Sequence, residues 1–104
     1  MPEKEVRVIQ SVQRAIDIIN CFNEHELKLT LPQISAKLEL NINTVRGLVN
    51  TLVANGYLEH ILDGNCYMLG LAFLPKADLA GANDIDRLRS RVRPRLEQIG
   101  RAHV

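Results

Sequence analysis

Two short stretches with helical periodicity lie close together in this chain, separated by only three residues, 39–41. The first stretch opens at residues 30–33, where Thr30 suits an N-cap and Gln33 suits the returning half of a capping box. Asn41 is predicted to cap the second stretch. The predicted buried face of that second helix consists of Val45, Leu48, Val49 and Leu52. Two short helices joined in this way form the helix-turn-helix arrangement.

The segments on either side of this pair complete a winged helix. Before it, Ser11 is predicted to cap a first helix, because residues 12–22 carry apolar side chains at a spacing of three and four. After it, Asn55-Gly56 is typical of a helix end with a left-handed cap. Residues 57–62 and 66–69 have strand character and flank an Asp-Gly-Asn turn. The predicted fold class is mainly α with a small β-hairpin: a winged helix-turn-helix of three helices plus a wing, followed by a helical linker.

The chain after Gly70 is predicted to be helical but irregular. Pro75 removes a helical hydrogen bond, so a helix here is expected to begin at Pro75 or to be kinked. Asn83 is the expected cap of a further helix, which Pro94 interrupts. The apolar face of that helix would consist of Ile85, Leu88, Val92, Leu96 and Ile99. Arginines between 87 and 101 scatter around it, which favours a solvated amphipathic helix over a nucleic-acid-binding arm.

Composition limits the classes of protein to which the chain can belong. Its 104 residues are 46% hydrophobic and 24% charged, which is the balance of one globular domain. No apolar stretch approaches the roughly 18 residues of a membrane-spanning helix, and the first residues do not form a secretory signal, so a cytoplasmic protein without membrane contact is expected. Cys21 and Cys66 lie far apart and are expected to be unlinked thiols.

The sequence contains no motif of catalysis or of metal binding. It has no Gly-rich phosphate loop, nucleophile motif or paired carboxylates, so no enzyme activity is predicted. Cys21 with His25, and His60 with Cys66, form two loose pairs rather than the four ligands of a zinc site. Neither a metal nor another cofactor is expected.

The net charge is only +1, and it is unevenly distributed. Residues 1–75 carry six Lys or Arg against eight Asp or Glu, whereas residues 76–104 carry seven against four. Nucleic-acid binders usually show a basic footprint. Any binding of DNA by the first part of the chain must therefore depend on a few positioned groups rather than on bulk charge.

Four motifs in order along the chain resemble the amino-terminal domain of the IclR family of bacterial transcription regulators. They are Ser-Val-Gln-Arg-Ala-Ile-Asp-Ile-Ile from Ser11, Leu-Thr-Leu-Pro-Gln-Ile from Leu29, Thr-Val-Arg-Gly-Leu-Val-Asn-Thr-Leu-Val-Ala-Asn-Gly-Tyr-Leu from Thr44, and Tyr-Met-Leu-Gly from Tyr67. Together they cover about residues 8–74. A helix-turn-helix alone is a weak signal, whereas the four motifs at these spacings are specific.

The resemblance implies a sequence-specific duplex DNA-binding domain of a regulator that represses or activates a catabolic operon. It divides the chain into a winged helix-turn-helix domain at 1–70, a linker helix region at 71–93 and the start of an effector-binding domain at 94–104, so the chain would be part of a longer protein. The family's linker pairs subunits, which implies a homodimer on an inverted-repeat operator, or a tetramer of the full-length protein. A small organic acid would bind only to the missing carboxyl-terminal domain.

The chain departs from the family pattern at positions that matter for DNA contact. Glu39 replaces the usual glycine of the turn, at a cost of about 1 kcal/mol if the backbone is left-handed there. Ile42-Asn43 replaces a frequent Lys-Ser and Gly47 replaces a frequent Arg, so fewer cations face the DNA. The hairpin tip has Asp63 and neither Lys nor Arg, which weakens the expectation of contact between the wing and phosphates.

The polar face of the predicted recognition helix, about residues 42–54, contains the candidate base contacts. Asn pairs well with adenine and Arg with guanine, and the Thr methyl group contacts thymine. The base-contact set is Asn43, Thr44, Arg46, Gly47 and Asn50. The phosphate-contact set is Arg14, Thr30, Gln33 and Asn41. A solvated polar face and simple helix capping are the alternative interpretations of these two sets.

Two functions from different classes therefore fit the sequence. The first is operator binding by a dimeric transcription regulator whose partner is double-stranded DNA. The alternative is a winged helix used for protein–protein assembly without specific DNA binding, which the near-neutral charge and the wing without cations allow. An affinity for DNA that falls steeply with salt would separate the first from the second.

Overall fold

Four helices and a hairpin follow one another in the computed structural model, which describes residues 6–81. They are α1 (Gln10–Ile19), α2 (Leu31–Leu38), α3 (Ile42–Ala54), β1 (Leu58–Ile61), β2 (Cys66–Leu69) and α4 (Phe73–Leu79). This order confirms the predicted fold class. The chain divides into two compact units between Ala72 and Phe73, so α4 belongs to the second unit. The predicted helix after Asn83, its arginines and the segment 94–104 lie outside the described residues.

The core is built from the apolar faces of α1, α2 and α3 together with the hairpin. Its buried side chains are Ile18, Cys21, Phe22, Leu29, Ile34, Val45, Val49, Leu58 and Tyr67. The predicted stripe of α3 is confirmed, because Val45 and Val49 are buried and Leu48 and Leu52 pack against the same cluster. Since α3 contacts α1, α2 and β1, it is the central element of this unit.

The starts of α2 and α3 confirm the predicted caps. Thr30 Oγ1 accepts a hydrogen bond from the Gln33 amide at 3.3 Å, and Gln33 Oε1 accepts one from the Thr30 amide at 2.8 Å. Asn41 Oδ1 accepts from the Asn43 amide at 2.7 Å. Side-chain oxygens thus satisfy amides that have no partner inside either helix.

Two other helix starts differ from the sequence prediction. The predicted cap at Ser11 is wrong, because α1 begins before it and Ile9 holds the N-cap position without a side-chain hydrogen bond. The Gln13 amide bonds to the Ile9 carbonyl at 2.9 Å, which extends the helix upstream of Ser11. The helix α4 does not begin at Pro75 but contains it in the first turn, where a missing N–H loses no intrahelical bond.

The turn between α2 and α3 holds a residue in the left-handed conformation. Glu39 has φ 56° and ψ 45°, where the Cβ of an L-residue crowds the backbone. The Leu40 amide bonds to the Ser35 carbonyl at 3.1 Å, and the Ser35 hydroxyl donates to the Leu40 carbonyl. These bonds fix the turn around the strained residue, so the absence of glycine here destabilises the domain.

We expect Glu39→Gly to raise the free energy of unfolding by about 1 kcal/mol, because glycine adopts this φ without the Cβ clash. Glu39→Ala is the matched control, since it removes the carboxylate but keeps the Cβ, and it should give no gain. Urea denaturation of the three proteins measures the effect. An equal gain in both variants would assign it to the charge and contradict the backbone argument.

The wing is an antiparallel hairpin joined by its backbone to the loop before α2. Leu58 pairs with Leu69 and His60 with Tyr67, and Leu29 and Tyr67 exchange backbone hydrogen bonds of 3.0 and 2.7 Å. The His60 ring stacks on Tyr67 with centroids 4.6 Å apart, and its Nε2 lies 2.7 Å from Asn65 Oδ1. The tip is therefore tied to the strands by side chains as well as by the turn.

Both cysteines are free thiols, as the sequence predicted. Cys21 belongs to the core, and its burial raises the pKa of the thiol. Within residues 6–81, no three potential metal ligands form a group. No helix in that same part of the chain has the length and apolar character needed to cross a membrane.

Candidate nucleic-acid interface

The face of α3 opposite the buried stripe is polar and open to solvent. Asn43, Arg46, Gly47 and Asn50 are exposed, and Thr44 is half-buried at the edge of the face. All the predicted base-contact residues therefore lie on one helix. Since Val45 and Val49 anchor the helix in the core, the fold fixes the direction in which this face points.

Two of these side chains are joined by a hydrogen bond. Arg46 Nη1 donates to Asn43 Oδ1 at 2.7 Å. Arg46 is the only cation in the sequence of α3, and Asn43 lies in the first turn, where the helix dipole is positive. The positive charge of this face is therefore concentrated at the amino-terminal end of the helix. The spacing of three residues indicates that the two side chains share a face, but spacing alone does not show that they are hydrogen-bonded.

The fold gives no reason for glycine at position 47. No atom lies within 4 Å of the place where a Cβ would be built, and φ is not in the left-handed region. Glycine inside a helix costs about 1 kcal/mol relative to alanine. The packing of residues 6–81 therefore does not require glycine at this position. Because Gly47 has no side chain, the outer surface of α3 is bare at the centre of the candidate interface.

Three of the predicted phosphate contacts are the capping residues, and their caps use acceptor atoms. Thr30 Oγ1, Gln33 Oε1 and Asn41 Oδ1 each accept from a backbone amide. The hydroxyl hydrogen of Thr30 and the amide NH₂ groups of Gln33 and Asn41 are donors that these caps do not use. Donors at helix starts suit phosphate oxygens, so capping and phosphate contact are compatible roles.

The fourth predicted phosphate contact, Arg14, lies on α1 beside the turn rather than on α3. A groove runs between the beginning of α1 and the end of α2. Its lining residues are Val8, Gln10, Gln13, Arg14, Asp17, Leu38 and Leu40. The guanidinium of Arg14 is thus placed at the border of the helix-turn-helix, with the carboxylate of Asp17 in the same groove.

Cations are sparse around the rest of the interface. Lys37 Nζ lies 2.7 Å from Glu26 Oε1. Their hydrogen bond is the main cause that raises the pKa of Lys37 and lowers the pKa of Glu26. The charge of Lys37 is therefore balanced within the chain. The sequence of the wing contains Glu59 and Asp63 but neither Lys nor Arg.

Comparison with known proteins matches the helix-turn-helix to a described family. Residues 11–61 match the IclR helix-turn-helix domain. The HTH-type transcriptional regulator XynR of Escherichia coli (strain K12) is 33% identical over 79 residues, which are 75% of this chain and 31% of that protein. The chain therefore spans about a third of the length of this relative.

Solved structures agree with the sequence matches. An IclR family transcriptional regulator from Brucella abortus is 26% identical with a TM-score of 0.70, over 85% of this chain and 33% of that one. An IclR-family regulator from Rhodococcus sp. is 30% identical with a TM-score of 0.64, over 78% of this chain and 33% of that one. The matched proteins are transcriptional regulators, in agreement with the prediction of a regulator rather than an enzyme. Residues 11–61 of this chain are therefore an IclR-family helix-turn-helix domain, the DNA-binding part of a transcriptional regulator.

Proposed function

We propose that the domain binds a specific duplex operator with α3 in the major groove. The observation that carries this proposal is the exposed polar face of α3, which is rigidly anchored by its buried stripe and bears the charge of Arg46 at its amino-terminal end. Recognition helices of this class place their amino-terminal residues against base edges. The base contacts are assigned to Asn43, Thr44, Arg46, Gly47 and Asn50, and the phosphate contacts to Arg14, Thr30, Gln33 and Asn41.

We further propose that the domain acts as a homodimer on an inverted repeat, with the region 71–93 pairing the subunits. This proposal is supported by the apolar side chains that are exposed around the start of the region: Leu71 is 73% exposed, Leu74 63% and Leu79 73%. Exposed apolar faces usually meet a partner. Repression or activation of a catabolic operon, and response to a small organic acid, belong in this proposal to a full-length protein with an effector-binding domain that starts at 94.

The test is selection of duplexes from a library with a randomised core, followed by measurement of affinity at several salt concentrations. The enriched sequences should contain two inverted half-sites with centres about one helical turn, roughly 34 Å, apart. Retention of no preferred sequence would contradict operator binding, and enrichment of single half-sites would contradict the dimer.

We expect the affinity for DNA to fall with salt, but less steeply than that of a basic winged helix of equal size, because few cations face the DNA. The logarithm of the affinity is plotted against the logarithm of the salt concentration, and its slope counts the neutralised phosphates. A slope equivalent to about eight or more phosphates per subunit would contradict the inference that few cations face the DNA. A non-specific duplex of equal length is the control, since its binding reports phosphate contacts alone.

A further inference from the structure

We propose that Asn43 and Arg46 form one unit that reads guanine, in which Arg46 contacts the base and Asn43 holds the guanidinium in place. This inference rests on the proposed binding of duplex DNA, and it assigns different roles to two residues of the same face. It also differs from the contact with adenine that an isolated asparagine suggests. Arg46 is then the residue that determines specificity, and Asn43, instead of contacting a base itself, is a positioning residue.

The hydrogen bond between the two side chains fixes the orientation of the Asn43 amide. A guanidinium has N–H donors and no acceptor, so the Asn43 atom that lies 2.7 Å from Arg46 Nη1 must be the carbonyl oxygen. The NH₂ group of Asn43 therefore points away from Arg46. The Asn43 backbone amide donates to Asn41 Oδ1 at 2.7 Å, so the cap of the helix holds the backbone from which this side chain extends.

The outer edge of this pair consists of donors. It is formed by the remaining N–H groups of Arg46, because the oxygen of Asn43, the acceptor of the pair, is engaged by Arg46 Nη1. In the major groove guanine presents two acceptors, N7 and O6, while adenine presents one acceptor and one donor. An edge of donors complements guanine and places a donor against the N6 group of adenine.

The surroundings of the pair leave it room to reach a base. Gly47, the next residue, carries no side chain, and the space where its Cβ would lie is open for 4 Å. Both Asn43 and Arg46 are exposed, so neither contributes to the core. Holding the guanidinium before the DNA arrives reduces the side-chain freedom that is lost on binding, which strengthens the contact.

The experiment compares the guanine preference of the 104-residue protein and of four variants by selection from a duplex library with a randomised core. We expect the unmodified protein to enrich a guanine in each half-site. The unmodified protein should bind the guanine duplex roughly 5- to 150-fold more tightly than its adenine counterpart, and Arg46→Ala should lose this difference. Asn43→Ala should weaken the preference at the same base pair and at no other.

Two further variants separate positioning from direct contact. Asn43→Asp keeps an oxygen that accepts from Arg46, so it should retain the guanine preference even though its added negative charge lowers the affinity for every duplex. Asn20→Ala removes an exposed asparagine outside the proposed contact residues and is the matched control, which should leave the guanine preference unchanged. Thermal denaturation of each variant checks that the domain is folded.

The outcomes that overturn the proposal are distinct from a failure of the proposed function. If Asn43→Ala abolishes an adenine preference at a different base pair and leaves the guanine preference intact, Asn43 reads a base itself and the unit does not exist. Loss of the guanine preference in Asn43→Asp to the same extent as in Asn43→Ala would also overturn it. Enrichment of no sequence by the unmodified protein would instead overturn operator binding as a whole.

Discussion

Gly70→Ala is expected to lower the free energy of unfolding by roughly 3 kcal/mol, the upper part of the range for overpacked sites. A Cβ at this position would overlap the carbonyl oxygen of Gly56 and lie 3.0 Å from the amide nitrogen of Leu58. These are backbone atoms, so no side-chain rotation relieves the clash. The Gly70 amide also bonds to the Tyr57 carbonyl at 2.9 Å, and moving the chain away would break that bond.

Gly47→Ala is the matched control for this prediction, because it makes the same chemical change at a position with open space around the new methyl group. It should raise the free energy of unfolding by about 1 kcal/mol, since alanine is the better helix former. Urea denaturation of both variants measures the two effects, which should have opposite signs. A neutral result for Gly70→Ala would contradict the close backbone approach.

Ile18→Ala is expected to lower the free energy of unfolding by about 2–5 kcal/mol, the usual result of emptying a core site that cannot collapse fully. Ile18 is 0% exposed and belongs to the core cluster of the first unit. Ile16→Ala makes the same change on the same helix at a side chain that is 45% exposed, and it should lower the free energy by less than about 1 kcal/mol.

Thermal and urea denaturation of these two variants measure the difference. Far-ultraviolet circular dichroism in the absence of denaturant checks that each variant retains its helices. Equal losses at the two positions would show that α1 does not bury the face that contains Ile18.

Features that depend on neighbouring residues were predicted correctly from the sequence. The capping box needs only Thr30 and Gln33, and the cap of α3 needs only Asn41. The order of elements followed in the same way from the periodicity of each segment. The prediction for Ser11 is wrong because the backbone extends the helix two residues further, so that Ile9 holds the N-cap position.

Features that depend on tertiary geometry could not be predicted from the sequence alone. A glutamate disfavours left-handed φ, so its conformation at position 39 is imposed by the packing of α2 and α3 on either side. The bond between Arg46 and Asn43 depends on side-chain rotamers, which helical spacing does not determine. The assignment of residues to bases or phosphates remains a prediction, because it depends on the path of the DNA across the domain.

Because backbone hydrogen bonds join Leu29 to Tyr67, the loop before α2 and the wing must separate from each other when either opens locally. Each residue both donates to and accepts from the other, so neither amide can exchange its hydrogen with solvent unless the pair separates. A molecule that clamps the wing would consequently slow deuterium uptake at Leu29, which lies far from the hairpin tip in the sequence. In this domain, the protection of one loop amide reports on the motion of the wing.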